Sequence, residues 1–114
     1  MKIVDVAKLV NAEIVAGHEA KDKEAKFIFA SDLMSDVLAF AHDEDILVSG
    51  LCNPQVVRTA ALLDMHCIIL VRGKVPTDDI TSLCDKKGIA FLTTKLGMHD
   101  VCGILYEKGL TSGK

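Results

Sequence analysis

The sequence lacks several signatures that would assign a location or a chemistry at once. No apolar run approaches the roughly 18 residues of a membrane span, and Asp5 and Lys8 interrupt the apolar N-terminal stretch, unlike in a signal peptide. Gly50, Gly73 and Gly97 belong to no GxGxxG or Walker array. No HxxxH or HExxH spacing occurs. We therefore predict no metal site and no cofactor.

Neither charge nor cysteine spacing points to a specialised partner or compartment. The formal net charge of -3 argues against binding by neutralisation of nucleic-acid phosphates, and against general binding to anionic membranes. The four cysteines form no CxxC pair, and three of them fall in apolar contexts, at Cys67, Cys84 and Cys102. We interpret these as buried, reduced thiols, which favours a cytoplasmic protein.

The length and composition are those of one globular domain. A chain of 114 residues can bury roughly two-thirds of its unfolded surface. Half of the residues are apolar and 25% are charged, which is not the composition of a disordered chain. No Pro/Gly/Ser-rich linker interrupts the sequence, so we predict a single α/β domain over residues 1–114.

Short apolar runs alternate with amphipathic segments. The runs 46–49, 67–71 and 90–94 are continuously apolar and bounded by turn residues, as in strands covered on both faces. AEIVAG and KFIFA predict two earlier strands. Strand and helix alternate with short connections, which predicts right-handed crossovers and a mostly parallel sheet of about four to five strands.

Helix boundaries are marked by capping residues. Asn53 precedes Pro54 and predicts the start of one helix, and Thr77 predicts the start of the next. Gly88 stops that second helix after a basic last turn. A final helix is predicted from near Thr94 to Gly109.

The stretch SDLMSDVLAFAH repeats Ser-Asp four positions apart. Its spacing predicts a helix with Ser31 as N-cap, Asp32 in the first turn and Asp36 one turn later. Leu33 and Leu38 fall on the predicted apolar face, together with Val37 and Ala41. The two aspartates form either a solvated face that complements the helix dipole or a catalytic pair, and a pair requires burial.

The loops after the predicted strands are where a ligand site is expected. In an open parallel sheet these loops gather at one edge, beyond the carboxyl ends of the strands. Helix N-termini and basic side chains there suit a phosphate or another small anion. The candidate ligand-binding residues are Ser31, Asp32, Gly50, Asn53, Arg72, Gly73, Lys74, Thr93, Thr94 and Lys95.

Four segments together resemble the DRTGG domain family, in the order ASDLMSDVLA, NPQVVRTAALL, IILVRGKVP and GIAFLTTKLGMHDVCGILYEKGL. The chain looks most like a small stand-alone member. Related domains occur in some phosphate acetyltransferases and CBS-domain pyrophosphatases, and the N-terminal domain of HPr kinase has a similar fold. The resemblance implies a three-layer α/β/α sandwich, a homodimer and a role in sensing or assembly, without catalytic residues.

The chain departs from the residues that give this family its name. Where relatives carry Thr-Gly-Gly followed by proline, this sequence has Val71, Arg72 and Gly73, with Pro76 further on. Near the position of the Asp-Arg pair it has Asn53 and Pro54. A ligand site built on that signature is therefore altered or lost here.

Three functional hypotheses follow. The first is a non-catalytic regulatory or dimerisation module that binds a small phosphorylated metabolite or nucleotide. The second is a small phosphohydrolase-like enzyme using Asp32, Asp36 and His99, the last being part of an adjacent His-acid pair. The third is a ligand-free interaction protein of a larger complex.

Overall fold

A five-stranded sheet divides the molecule into three layers, as predicted. The computed structural model describes residues 1–113. The strands are β1 (Glu13–Ala16), β2 (Ile28–Ala30), β3 (Ile46–Ser49), β4 (Cys67–Leu70) and β5 (Ala90–Thr93). Their order across the sheet is β1-β5-β4-β3-β2. Strands β2 to β5 are mutually parallel, and β1 pairs antiparallel with β5 at one edge.

Five α-helices cover both faces of this sheet. They are α1 (Ile3–Leu9), α2 (Met34–Phe40), α3 (Pro54–Leu62), α4 (Asp78–Lys87) and α5 (Met98–Glu107), with a 3-10 turn at His18–Ala20. The three crossover helices α2, α3 and α4 pack in one core cluster, and α1 and α5 pack in the other. The strand order accounts for this arrangement. Strands β2, β3, β4 and β5 follow one another in one direction across the sheet, and right-handed crossovers between successive strands then place all three helices on the same face.

The core is built by alternation along fully buried strands. Ile46, Val48 and Ile69 pack toward α1 and α5, whereas Leu47 and Ile68 pack toward the crossover helices. Both faces of β3 and β4 are therefore apolar, which is why their sequences are continuous runs rather than alternating ones. Burying each such side chain contributes about 1.5–3 kcal/mol.

The predicted boundaries of α3 and α4 are confirmed. The side chain of Asn53 caps α3 by accepting a hydrogen bond from the Gln55 backbone N–H at 2.9 Å, and Pro54 is the first helical residue. Gly88 ends α4 in the left-handed conformation. Thr77 is the N-cap residue of α4, but its hydroxyl bonds to the Asp79 carboxylate and lowers the pKa of that group.

The prediction for α2 is wrong at its start. The helix begins at Met34, with Leu33 as the cap residue, so Asp32 lies before it. The Ser31 hydroxyl accepts a hydrogen bond from the Leu33 N–H at 3.0 Å, which closes a local turn. The chain therefore stays non-helical for two residues longer than the pattern indicates.

The predicted apolar face of α2 is also partly wrong. Met34, Val37 and Ala41 are buried, whereas Leu33 and Leu38 are 57% and 44% exposed. The helix lies over the edge of the sheet formed by β2 and β3, where there is less core to cover it. An exposed apolar strip is therefore left on this helix.

The last helix starts later than predicted, at Met98 and not near Thr94. The Thr94 hydroxyl donates to the Val10 carbonyl at 2.7 Å, and the Thr94 carbonyl accepts from the Gly73 N–H at 2.9 Å. These two bonds hold the segment after β5 as a loop.

Among the described residues, no helix is long and apolar enough to cross a membrane.

Candidate functional site

The exits of four parallel strands meet at one edge of the sheet, here called the carboxyl edge. Residues 30–33, 49–53, 71–77 and 94–97 leave β2, β3, β4 and β5 there. This convergence is the condition on which the sequence-based site depended, and it is met. The structure nevertheless places eight of the ten predicted residues in two groups with different surroundings, and the other two residues have local roles.

The first group surrounds the backbone of Gly50. The Asp32 carboxylate accepts hydrogen bonds from the Gly50 N–H at 2.6 Å and from the Ser49 hydroxyl at 3.3 Å. The Lys74 ammonium donates to the Gly50 carbonyl. One peptide segment is thus held by an anionic and a cationic side chain, and both side chains have their hydrogen bonds within the protein.

The space for a side chain at Gly50 is small. A Cβ built on it would lie 3.2 Å from the Arg72 guanidinium and 3.3 Å from the Asp32 carboxylate. The residue is buried, although both neighbouring side chains are exposed. A side chain at this position would require the ends of the Arg72 and Asp32 side chains to move by a few tenths of an ångström, and the φ of Gly50 is not in the left-handed region.

The turn after β4 is built from two consecutive left-handed residues. Arg72 and Gly73 have φ values of 66° and 68°. For arginine this conformation costs roughly 1–2 kcal/mol. It is held by hydrogen bonds from the Arg72 N–H to the Leu96 carbonyl at 2.8 Å and from the Gly73 N–H to the Thr94 carbonyl at 2.9 Å. The turn therefore fixes the exit of β4 against the exit of β5.

The second group lines a cavity of about 490 Å³ beside this turn, here called the edge cavity. Its volume is within the usual range for organic ligands, roughly 300–1,000 Å³. The cavity lies between the exits of β4 and β5 and the segment that enters β1. Its lining residues are Asn11, Glu13, Gly73, Lys74, Val75, Thr93, Thr94, Lys95 and Leu96.

Most polar side chains of the edge cavity have no partner among residues 1–113. Within residues 1–113, the side chains of Asn11, Glu13, Thr93 and Lys95 make no hydrogen bond, and none of them forms an ion pair. Thr94 differs, because its hydroxyl is bonded to the Val10 carbonyl. The edge cavity thus presents hydrogen-bonding groups that are free to contact a ligand, unlike the cluster around Gly50.

The structure brings five of the ten predicted residues into the edge cavity: Gly73, Lys74, Thr93, Thr94 and Lys95. Asp32, Gly50 and Arg72 form the neighbouring cluster, to which Lys74 also belongs. Ser31 and Asn53 have local roles, in the turn before α2 and at the cap of α3.

Two polar residues of the edge cavity were missed by sequence reasoning. Asn11 and Glu13 come from the N-terminal segment, some 80 residues away in sequence. The antiparallel pairing of β1 with β5 places Glu13 directly opposite Thr93. No local sequence pattern predicts such a pairing. The available signal was the acidic residue Glu13 at the first position of β1.

The residues of the hydrolase hypothesis do not form one site. Asp36 lies in the first turn of α2, and His99 lies in the first turn of α5, on the other face of the sheet. His99 is fully exposed and contacts Asp100 at 3.4 Å. Within the described residues, neither His99 nor the two aspartates line the edge cavity, and no hydrogen bond joins them to one another.

The buried cysteines are not suited to nucleophilic chemistry. Cys67 and Cys84 are inaccessible, and burial raises the pKa of Cys84 to about 12 and that of Cys67 further. Burial also raises the pKa of the half-buried Cys102. A thiol must lose its proton to act as a nucleophile, so a raised pKa disfavours that role for all three. Cys67 and Cys84 are core side chains, and Cys102 packs against the core.

Two other cavities lie away from the carboxyl edge. One of about 290 Å³ lies at the opposite edge of the sheet and includes Lys23, Asp64, His66 and Lys87. A largely apolar groove of about 190 Å³ runs beside β2, with Tyr106 on one side. In the described residues, no group of three His, Cys, Asp or Glu side chains could hold a metal ion.

Comparison with known proteins gives a family and a fold. The sequence model of the DRTGG domain matches residues 5–107. No curated protein matches the chain. A similar solved structure is that of the CBS and DRTGG domains of the regulatory region of Clostridium perfringens pyrophosphatase, complexed with the activator diadenosine tetraphosphate.

The structural likeness is extensive, although the sequences have diverged. The TM-score is 0.75 and the identity is 17%, over 99% of this chain and 51% of the other. This chain therefore spans about half the length of that protein. At such low identity the likeness concerns the fold.

Proposed function

The chain belongs to the DRTGG domain family, and from this premise we propose that it is a non-catalytic regulatory module that binds a small phosphorylated metabolite or nucleotide in the edge cavity. The proposal rests on the polar side chains of the edge cavity that have no hydrogen-bond partner in the described chain. Lys95 and Thr93 have no partner among the described residues, and Lys74 reaches the same cavity. An ammonium and a hydroxyl together can bind phosphate oxygens through charge-assisted hydrogen bonds.

The similar pyrophosphatase region supports the regulatory part of the proposal. That protein's DRTGG domain lies in a regulatory region, and the structure holds a nucleotide activator. We carry the general role over to this chain, but not a binding position. We propose the edge cavity as the ligand position because polar side chains without a protein partner line it in this chain.

A titration measured by calorimetry tests the ligand. The probes are adenosine monophosphate, adenosine triphosphate, diadenosine tetraphosphate, ribose 5-phosphate and inorganic phosphate. Lys95→Gln removes one cavity charge, and Lys108→Gln is the matched control, because Lys108 is exposed at the far end of α5. We expect binding of at least one organic phosphate, weakened roughly tenfold by Lys95→Gln, the equivalent of about 1.4 kcal/mol, and unchanged by the control.

Thermal unfolding gives a second readout of the same binding. A ligand at one hundred times its Kd stabilises the folded state by about 2.7 kcal/mol. If no probe stabilises the protein at millimolar concentration, or if both lysine variants bind as the natural chain does, the edge cavity is not the ligand site.

We further propose that the module assembles as a homodimer. Leu38 and Phe40 on α2 and Leu33 just before it leave 44%, 61% and 57% of their surface exposed, in the segment that follows the edge strand β2. Light scattering across a range of concentrations tests this. Phe40→Asp is expected to shift the equilibrium from dimer toward monomer. If the natural chain stays monomeric at roughly 100 μM, the proposal is contradicted.

The location we propose is the cytoplasm, where thiols stay reduced. The four cysteines are free thiols in the structure. Fractionation of the source cells, with detection by a specific antibody, tests this assignment; recovery in the secreted fraction contradicts it.

A further inference from the structure

The edge cavity has walls of opposite charge. Lys74 and Lys95 come from the loops that leave β4 and β5. Facing the same space are Asn11 and Glu13, from the segment that enters β1. Since Glu13 is paired with Thr93 across the antiparallel ladder, their side chains project from the same face of the sheet. A ligand in the cavity therefore meets the Glu13 carboxylate as well as the free ammonium of Lys95.

Glu13 is not neutralised by the lysines around it. Within residues 1–113, ion pairs join the Met1 ammonium to Glu24 and His99 to Asp100, and Glu13 is in neither. An ionised carboxylate only accepts hydrogen bonds. It attracts hydroxyl and amino groups of a ligand and repels additional phosphate charge, by about 1 kcal/mol at 4 Å in water and more where water is excluded.

The size of the cavity also argues against a purely inorganic ligand. About 490 Å³ is the volume of a site for an organic molecule. The two apolar lining side chains, Val75 and Leu96, have nothing to contact on a phosphate ion. An organic group beside the phosphate would cover them.

We propose that Glu13 determines the ligand specificity of the edge cavity. The ligand class is an organic monophosphate whose hydroxyl or amino groups face Glu13 and Asn11 and whose phosphate faces Lys95. Chains of several phosphates bind more weakly than a monophosphate, because the Glu13 carboxylate lines the same cavity and repels the added negative charge. This inference rests on the proposed ligand-binding function and names the class of molecule bound at that site.

The test compares two probes on three proteins by calorimetry. The probes are adenosine monophosphate and inorganic tripolyphosphate. The proteins are the natural chain, Glu13→Gln and the control Glu107→Gln, which changes an exposed residue in the last turn of α5. The amide that Glu13→Gln introduces has the size of the carboxylate without its charge, so the fold is expected to be unchanged, as circular dichroism will show.

We expect the natural chain and the Glu107→Gln control to prefer the monophosphate. Glu13→Gln should shift the ratio of the two dissociation constants at least tenfold toward tripolyphosphate. If Glu13 had a purely structural role, Glu13→Gln would weaken the binding of both probes equally and leave that ratio unchanged. Such a result overturns the inference. Tighter binding of tripolyphosphate by the natural chain also overturns it. If the natural chain and Glu13→Gln bind neither probe, the proposed ligand-binding function itself fails.

Discussion

Replacing Gly17 by alanine should destabilise the fold far more than the same change at Gly88. Both glycines are left-handed, with φ values of 66° and 69°. An alanine in this conformation costs about 1 kcal/mol. The two positions differ in the space around the new methyl group, which makes them a matched pair.

At Gly17 the methyl group has no room. Its Cβ would lie 1.8 Å from the Ile89 carbonyl oxygen and 2.8 Å from the Ala90 N–H nitrogen, both backbone atoms at the start of β5. At Gly88 the nearest atom is a Glu19 carboxylate oxygen at 3.8 Å, which is ordinary contact. Only the first substitution forces backbone segments apart.

The magnitude follows from adding these effects. Overpacking costs typically 1–3 kcal/mol, and the hydrogen bond from the Gly17 N–H to the Asp85 carboxylate, 2.8 Å long, is worth about 1 kcal/mol more. We therefore expect Gly17→Ala to lower the free energy of unfolding by about 3–5 kcal/mol, and Gly88→Ala by about 1 kcal/mol.

Urea unfolding followed by circular dichroism measures both values. A typical domain has only about 5–15 kcal/mol of stability, so the first variant should unfold at a much lower urea concentration. Equal midpoints for the two variants would refute the reasoning, because they would show that β1 does not approach β5 at Gly17 as closely as described.

Three further changes have expected outcomes in the same assay. Asp32→Ala should cost about 1–2 kcal/mol because it removes the acceptor of the Gly50 N–H bond, whereas exposed Asp36→Ala should cost a few tenths; equal losses would contradict this. Asn53→Ala should cost about 1 kcal/mol by removing the cap of α3, and no loss would show that the cap is dispensable. The buried thiol of Cys84 keeps its proton up to a pKa of about 12, while the unfolded thiol loses it near pH 8.5. Stability should therefore fall by about 2 kcal/mol between pH 8 and pH 10 from this residue, and Cys84→Ala should flatten the pH dependence; an unchanged slope would contradict the assignment.

The sheet could be predicted because its strands have a recognisable local sequence pattern. The continuous apolar runs at 46–49, 67–71 and 90–94 identify doubly covered strands, and short connections between them leave parallel pairing as the natural solution. The cap of α3 was equally local, since Asn53 and Pro54 need only the backbone next to them.

The start of α2 could not be predicted because it depends on a distant strand. Asp32 is a favourable residue in a first helical turn, but its carboxylate bonds instead to Gly50, which is 18 positions away. A single charge-assisted hydrogen bond to the loop after β3 exceeds the few tenths to 1 kcal/mol that the helix dipole offers. Tertiary structure therefore decides the role of this residue.

The candidate site was predicted in part for a similar reason. The loops of parallel strands were bound to meet, so Lys74, Thr93 and Lys95 were correctly placed near one another. The acidic residue Glu13 belongs to β1, which pairs antiparallel with β5 at the edge of the sheet. No local sequence pattern indicates that pairing. The charge balance of the cavity therefore appears only once the fold is known.

The most direct test of the central claim is a nuclear magnetic resonance titration of the ¹⁵N-labelled chain with adenosine monophosphate. Binding in the edge cavity predicts saturable shifts of backbone amides in residues 11–13, 72–75 and 93–96, with small changes elsewhere. Shifts centred on the groove beside Tyr106, or no shifts at millimolar nucleotide, would contradict the assignment of this cavity as the ligand site.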